Sequence, residues 1–390
     1  MKHSIAMVTV LGLLLLNTAC DQTQNMEALT TKSATSSYKV SVDLGNTAAL
    51  TTLYSYPNSD NGETLEQTIE HYLNQRLTRD LISQPSVDVV VTGDEYVADI
   101  SGDSASVDEY QLQLTTFLNN GKLAAKGVEE LKKAGKWDAK EWRFFLPLGL
   151  SIVHQRSVQL LHFPPDYSLP DQDYLNSKTS QRWEQLLKLN KVTEAEATLY
   201  ESILDIAPIA APASAGGTLT DTYSYFEPYV LQMLPLLLDI DEGATEALPI
   251  VAYGSPVRDW VAGHYKLNKF NVNTIAEIAV TKTVKAPILG ANHPSYIWYA
   301  KEQGRDYAMK VMEQDLISAC WQASMGSDPS QQSGMVLNSC TSSWNDQPMV
   351  VCINMEIQAY SKTEAEAKAI CEGDMPNTAV AMNSLKSDQY

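Results

Sequence analysis

The sequence predicts an α/β protein. Its body is a three-layer α/β/α arrangement around a mainly parallel sheet, with an α+β region before it and a disulfide-clamped β–α tail after it. Three observations predict this. Between residues 157 and 322, short apolar runs stopped by Pro, Gly or Asn alternate with stretches of helical period. Residues 38–150 mix two-residue alternation with helical period but lack that regular succession. Every cysteine after Cys20 lies beyond residue 319, where the pattern changes again. The segments are 1–19, 20–37, 38–150, 151–322 and 323–390.

The start of the chain has its own logic. Lys2 supplies a positive charge, Ile5 to Leu16 are mainly apolar, and Asn17-Thr18-Ala19 lead to Cys20 with small residues. This is the layout of a secretory signal peptide, too short for a permanent bilayer span. A cysteine at the exit resembles the lipobox of bacterial lipoproteins, with Leu16 one position further from the cysteine than is usual. The resemblance implies cleavage after Ala19 and acylation of Cys20, so that lipid holds the mature chain to a membrane on the periplasmic side of the cell envelope. Asp21 resembles the signal that retains lipoproteins on the inner membrane in some bacteria. Residues 20–37 are polar, rich in Ser and Thr, and read as a flexible tether.

In the N-terminal region Tyr38, Val40 and Val42 alternate as a strand, and Val87 to Val91 with Tyr96 to Ile100 flank the turn Thr92-Gly93-Asp94-Glu95 as a hairpin. Thr64 to Leu81 carries Leu65, Ile69, Leu73 and Leu77 on one helical face. Val107 to Lys136 is helical, with an interruption expected near Asn119-Asn120-Gly121. No chemical motif occurs here, which suits a packing or partner-binding module.

The body is expected to contain strands at Val158–Phe163, Leu199–Ile206, Leu248–Tyr253 and Pro287–Ala291. Helices are expected at Ser180–Leu189, at Tyr223–Ile240 with a kink at Pro235, after Gly254-Ser255-Pro256, and at Asp306–Trp321. In such sheets ligands sit beyond the carboxyl ends of the strands. The turns 164–167, 254–256 and 292–295 would converge there. In the tail, Ser324 to Ser343 reads as loop and Met349 to Tyr360 as a strand. Ser361-Lys362-Thr363-Glu364 reads as a capping box before a helix holding Cys371.

Charge and cysteines narrow the function classes. A net charge of −19 disfavours nucleic acid as a partner, because phosphate binding needs clustered cations. Lys122, Lys126, Lys132, Lys133 and Lys136 have the spacing of a solvated helix face. Cys320, Cys340, Cys352 and Cys371 fit two structural disulfides in an oxidising compartment, with three pairings open. No CxxC or HxxxH spacing suggests a metal, and nothing in the sequence calls for a cofactor.

From about 157 to 322 the order of elements resembles the uracil-DNA glycosylase superfamily. Four stretches carry the likeness: YFEPYVLQMLPLLL, LPIVAYGSPVRDWV, KAPILGANHPSYIWYA and MKVMEQDLISACW. The sharpest motif is Asn292-His293-Pro294-Ser295. The resemblance implies that His293 hydrogen-bonds a nucleobase carbonyl, that Ser295 contacts phosphate, and that Asn292, Gly254 and Ser255 line the ligand site. It implies Asp166 as the group handling water, although His162-Phe163-Pro164-Pro165-Asp166-Tyr167 lacks the glycines of the family's turn. Asp205 stands where the family has a base-reading asparagine, and a carboxylate cannot reproduce an amide's donor-plus-acceptor pattern.

Each residue also has a plainer role. His293 and Asp166 suit tight turns, and Gly254-Ser255-Pro256 suits an ordinary helix start. Asp205 between apolar neighbours needs partners or a raised pKa. The expectation is therefore an envelope lipoprotein whose body serves as a binding or assembly component, with a protein partner or small ligand. The alternative is a hydrolase or glycosylase acting on a nucleobase, nucleoside or nucleic acid.

Overall fold

The computed structural model describes residues 38–46, 64, 66–67, 69–70, 73, 85–144, 156–163, 178–192, 202–238 and 247–373. Cys20, Asp21, the tether and Asp166 lie outside the described residues.

Near the start, β1 (Tyr38–Asn46), β2 (Ser86–Thr92) and β3 (Glu95–Gly102) form an antiparallel sheet in the order β1-β3-β2. Val42, Val87, Tyr96, Ala98 and Ile100 are buried, and helix α1 (Ser104–Lys133) packs on this sheet. Asp103 starts α1 by accepting the Ser106 backbone N–H at 3.0 Å. The expected break at Asn119-Asn120-Gly121 does not occur. Leu114, Leu118, Ala124, Val128 and Leu131 continue one buried face across it, and burying them outweighs the roughly 1 kcal/mol that a mid-helix glycine costs. Ile69 and Leu73, from the expected helix at 64–81, are helical and fully buried.

The central sheet has five strands: β5 (Val158–Leu161), β6 (Ser202–Asp205), β8 (Ile250–Tyr253), β9 (Ile275–Ala279) and β10 (Lys285–Ala291). Their order is β6-β5-β8-β10-β9. The first four run parallel, and β9 joins antiparallel at the edge of the sheet. β9 was not expected, because IAEIA is short and only Ile278 in it is buried. A two-stranded ladder pairs β4 (Arg143–Phe144) with β7 (Ile209–Ala210).

Both faces of the sheet are covered. Ile250, Ala252 and Ile288 share one core with α1, α3 (Tyr223–Leu237) and α4 (Ser255–Tyr265). Val251, Tyr253 and Leu289 share another with α2 (Lys178–Leu189) and α6 (Arg305–Ser327). Short α5 (Tyr296–Ala300) lies between the sheet and α6 in sequence. A buried polar chain docks α6: Tyr253 and Trp183 donate to Gln322 Oε1 at 2.9 and 3.1 Å, and Gln322 Nε2 donates to Ser157 Oγ at 2.8 Å.

The tail corrects the expectation of a β–α unit. Helix α6 runs on to Ser327, α7 (Ser333–Asn345) occupies the supposed loop, and α8 (Pro348–Tyr360) replaces the supposed strand. Val351, Cys352, Met355 and Ala359 are buried at helical spacing, and Pro348 sits in the first turn, where a missing N–H is harmless. The capping box falls two residues later than expected: Thr363 Oγ1 accepts the Glu366 N–H at 3.3 Å while Glu366 accepts the Thr363 N–H at 2.9 Å. Residues 364–373 are helical. Cys320 pairs with Cys340 and Cys352 with Cys371, settling which of the three pairings forms. Sequence separations of 20 and 19 residues correspond to about 3 kcal/mol of stabilisation each.

Gly290 in β10 allows a close backbone approach. A Cβ there would lie 2.2 Å from the Asn271 carbonyl oxygen and 2.9 Å from Arg258 Cδ. Gly290→Ala is expected to destabilise by about 1–3 kcal/mol through overpacking. Urea unfolding reads this as a lower midpoint at constant slope, and an unchanged midpoint would contradict it.

Candidate functional site

The parallel strands end together on one edge of the sheet, and four of their last or following residues carry chemistry: His162, Asp205, Gly254 and His293. Gly254 follows β8 at φ +87°, a conformation that favours glycine, and its N–H donates to Ala291 O at 2.9 Å. That bond ties the end of β8 to the end of β10. A Cβ added to Gly254 would lie 3.4 Å from His293 Cβ, so the two turns singled out in the sequence are neighbours. Ser255 opens α4 and is exposed, with Pro256 in the first turn. Arg258, one turn into α4, donates to Ala291 O at 2.5 Å.

His293 is partly buried, and its protonation state follows from its bonds. The Ser295 backbone N–H donates to His293 Nδ1 at 3.3 Å, and Ser295 Oγ lies 2.7 Å from the same nitrogen. An atom that accepts an N–H carries no proton in the neutral ring, so the proton sits on Nε2. Burial of the ring, then the nearby His162 and Arg182, hold the His293 pKa down to about 4. At neutral pH His293 is an uncharged donor through Nε2–H. Ser295 thus serves to orient the ring.

Asn292 is buried, and its amide is committed elsewhere. Its Nδ2 donates to Asp315 Oδ1 at 3.1 Å and to Gln314 Oε1 at 3.2 Å. Asp315 also accepts from Arg182 Nη2 at 2.6 Å, and Arg182 Nη1 donates to Pro294 O at 2.5 Å.

Asp205 closes β6, opposite Leu161 of β5. It has no exposed surface, and neither carboxyl oxygen has a hydrogen-bond partner. Burial pushes its pKa well above the usual carboxylate range and so favours its neutral, protonated form. Tyr223 and Tyr229 of α3 lie within its field.

His162 follows β5 directly. Its Nε2 lies 3.0 Å from Gly216 O, and its Nδ1 meets the Tyr223 hydroxyl. A carbonyl can only accept, so Nε2 carries the proton and Tyr223 donates to Nδ1. Burial lowers the His162 pKa and keeps this arrangement uncharged.

Among the sequence-derived residues, Gly254 and His293 come together and Asp205 ends a strand of the same edge, while Asn292 faces the Arg182–Asp315 pair. His162, Tyr223, Arg182 and Asp315 were missed. Asp315 did leave a signal, falling three residues after Met312 on the apolar face of its helix. His162 left none, because its partners Gly216 and Tyr223 are 54 and 61 residues away.

Among the described residues no group of three or more His, Cys, Asp or Glu side chains could hold a metal. In the lysine cluster, Lys132 lies over the Trp137 ring at 5.2 Å and Lys136 over Tyr225 at 5.6 Å. Comparison with protein families, characterised proteins and solved structures finds no match for this chain.

Proposed function

We propose that this chain is a lipid-anchored envelope protein whose glycosylase-like α/β/α body binds a small ligand at the carboxyl ends of β5, β6, β8 and β10. It serves there as a binding or assembly component. The observation that carries this reading is the meeting of Gly254 and His293 on the strand edge where α/β proteins take their ligands, with the unpartnered, buried carboxyl of Asp205 closing β6 on the same edge. An orphaned buried carboxyl costs free energy unless something compensates it. Asp205 has no exposed surface, so the group that can meet a ligand at this edge is the Nε2–H of partly buried His293, a donor. That donor suits a ligand carbonyl, such as that of a nucleobase or nucleoside.

Binding is favoured over hydrolysis by the protonation states. A water-activating base must be unprotonated and basic near neutral pH. Burial disfavours the ionised form of Asp205, and His293 is a very weak base. One observation supports the alternative of a hydrolase or glycosylase: a neutral histidine donor can stabilise developing negative charge on a leaving base.

Thermal shift of the purified protein with millimolar nucleobases and nucleosides tests the proposal. Ligand at a hundred times its Kd would stabilise by about 2.7 kcal/mol, a readily measured rise in Tm. His293→Ala is expected to abolish that rise while leaving the ligand-free Tm nearly unchanged. No shift with any compound would remove the small-ligand reading, and base release from single-stranded DNA would put the enzyme first. Cys20→Ser should release the protein from membranes; persistent attachment would overturn the lipid anchor.

A further inference from the structure

We infer that Arg182 and Asp315 are positioning residues, a buried clamp that holds the turn 292–295 so that His293 keeps its Nε2–H tautomer. The inference deepens the proposed site. It rests on that reading for what the turn is for, and on geometry alone for how the turn is held.

Three contacts span the turn. Arg182 of α2 uses one arm of its guanidinium to hold Pro294 O and the other to hold Asp315 Oδ2. Asp315 of α6 uses its remaining oxygen to accept Asn292 Nδ2. The residues on either side of His293 are therefore gripped by two helices that are 133 residues apart in sequence at the contact. Within the turn, the Tyr296 N–H donates to His293 O at 2.7 Å and Ser295 fixes the ring. All the groups that restrain His293 converge on one rotamer and one tautomer.

The composition of the clamp argues that position is its role. Arg182 and Asp315 are both buried, packed among Trp183, Met312 and Leu316 beside the buried Asn292. Buried ion pairs are commonly no more stabilising than apolar residues of the same volume. Stability alone would be served by such residues. A forked guanidinium does what they cannot, bonding a carbonyl and a carboxylate in fixed directions at once.

Two variants test this without any ligand. Arg182→Lys keeps a cation for Asp315 but lacks the second arm, so it releases Pro294. The double variant Arg182→Met with Asp315→Leu fills the space with apolar atoms and leaves no unpaired charge. Both are expected to fold. In each, hydrogen exchange at the Tyr296 amide should quicken roughly tenfold or more. The imidazole nitrogen spectrum of His293 should change from a single Nε2–H tautomer to a mixture. An unaltered tautomer and unaltered exchange in the folded double variant would overturn the clamp, whatever the ligand experiment gives. Loss of the tautomer with no ligand found would leave the clamp standing and remove only the proposed function.

Discussion

Asp315→Leu alone is expected to lower stability by about 3–5 kcal/mol, the loss typical of breaking a buried ion pair from one side. Urea or guanidinium unfolding would measure it as a shift of the midpoint. The magnitude comes from what remains. Arg182 would keep its charge in a dry environment with Pro294 O as its hydrogen-bonded oxygen, and its Nε already lacks a partner. Asn292 would lose one of its two acceptors. Burial raises the Asp315 pKa, while Arg182 and Asn292 oppose the rise, which marks how closely the group depends on those contacts. Adding Arg182→Met should recover most of the loss, because the two changes share one interaction and cannot be additive. A single variant within about 0.5 kcal/mol of the parent, the usual range for surface changes, would contradict a buried and essential pair.

Asp205 leads to the second large effect, and its sign is opposite to that of most acidic residues. Unfolded, its carboxyl ionises near the ordinary value of about 3.9. Folded, burial keeps the proton on to a much higher pH. Between those limits the native state binds one proton more than the unfolded chain, so stability falls as pH rises. The slope is at most about 1.4 kcal/mol per pH unit. The contribution is fully favourable below the unfolded pKa and is lost progressively as pH climbs toward the folded one. Asp205→Leu removes that proton and the orphaned oxygens together. Near pH 4 it is expected to stabilise the protein by about 1–3 kcal/mol, the cost of an unsatisfied buried polar group, and the gain should grow as pH rises by up to about 1.4 kcal/mol per unit. Subtracting the two stability profiles between pH 4 and 8 isolates the residue. A difference that stays flat with pH would mean that Asp205 ionises in the folded protein as it does in the unfolded chain. A stabilised variant that no longer responds to ligand would fit a residue retained for the site.

Legibility in the sequence differed by element. The four parallel strands were visible because each is a short apolar run closed by a breaker, as in IVAY before Gly254-Ser255 and PILGA before Asn292. Helix α6 was visible through Met309, Met312 and Leu316. Helix α8 was misread because MVVCINMEIQAY alternates nearly as well as it turns, and the choice rests on which face finds a buried surface. The continuity of α1 through Asn119-Asn120-Gly121 was hidden for the same reason, since local propensity favours a break and packing overrides it.

What the amino-acid order determined by itself was local: where apolar periods start and stop, that cysteines sit late in the chain, and that two turns carry Gly254 and His293. Tertiary structure alone decided the pairing of the cysteines, the order of the strands, the partners of His162 and the grip of Arg182 on the turn. It alone leaves Asp205 without a partner. These rest on contacts between residues distant along the chain, and burial is a property of the folded surroundings: a carboxyl is an ordinary acid until neighbours exclude water from it.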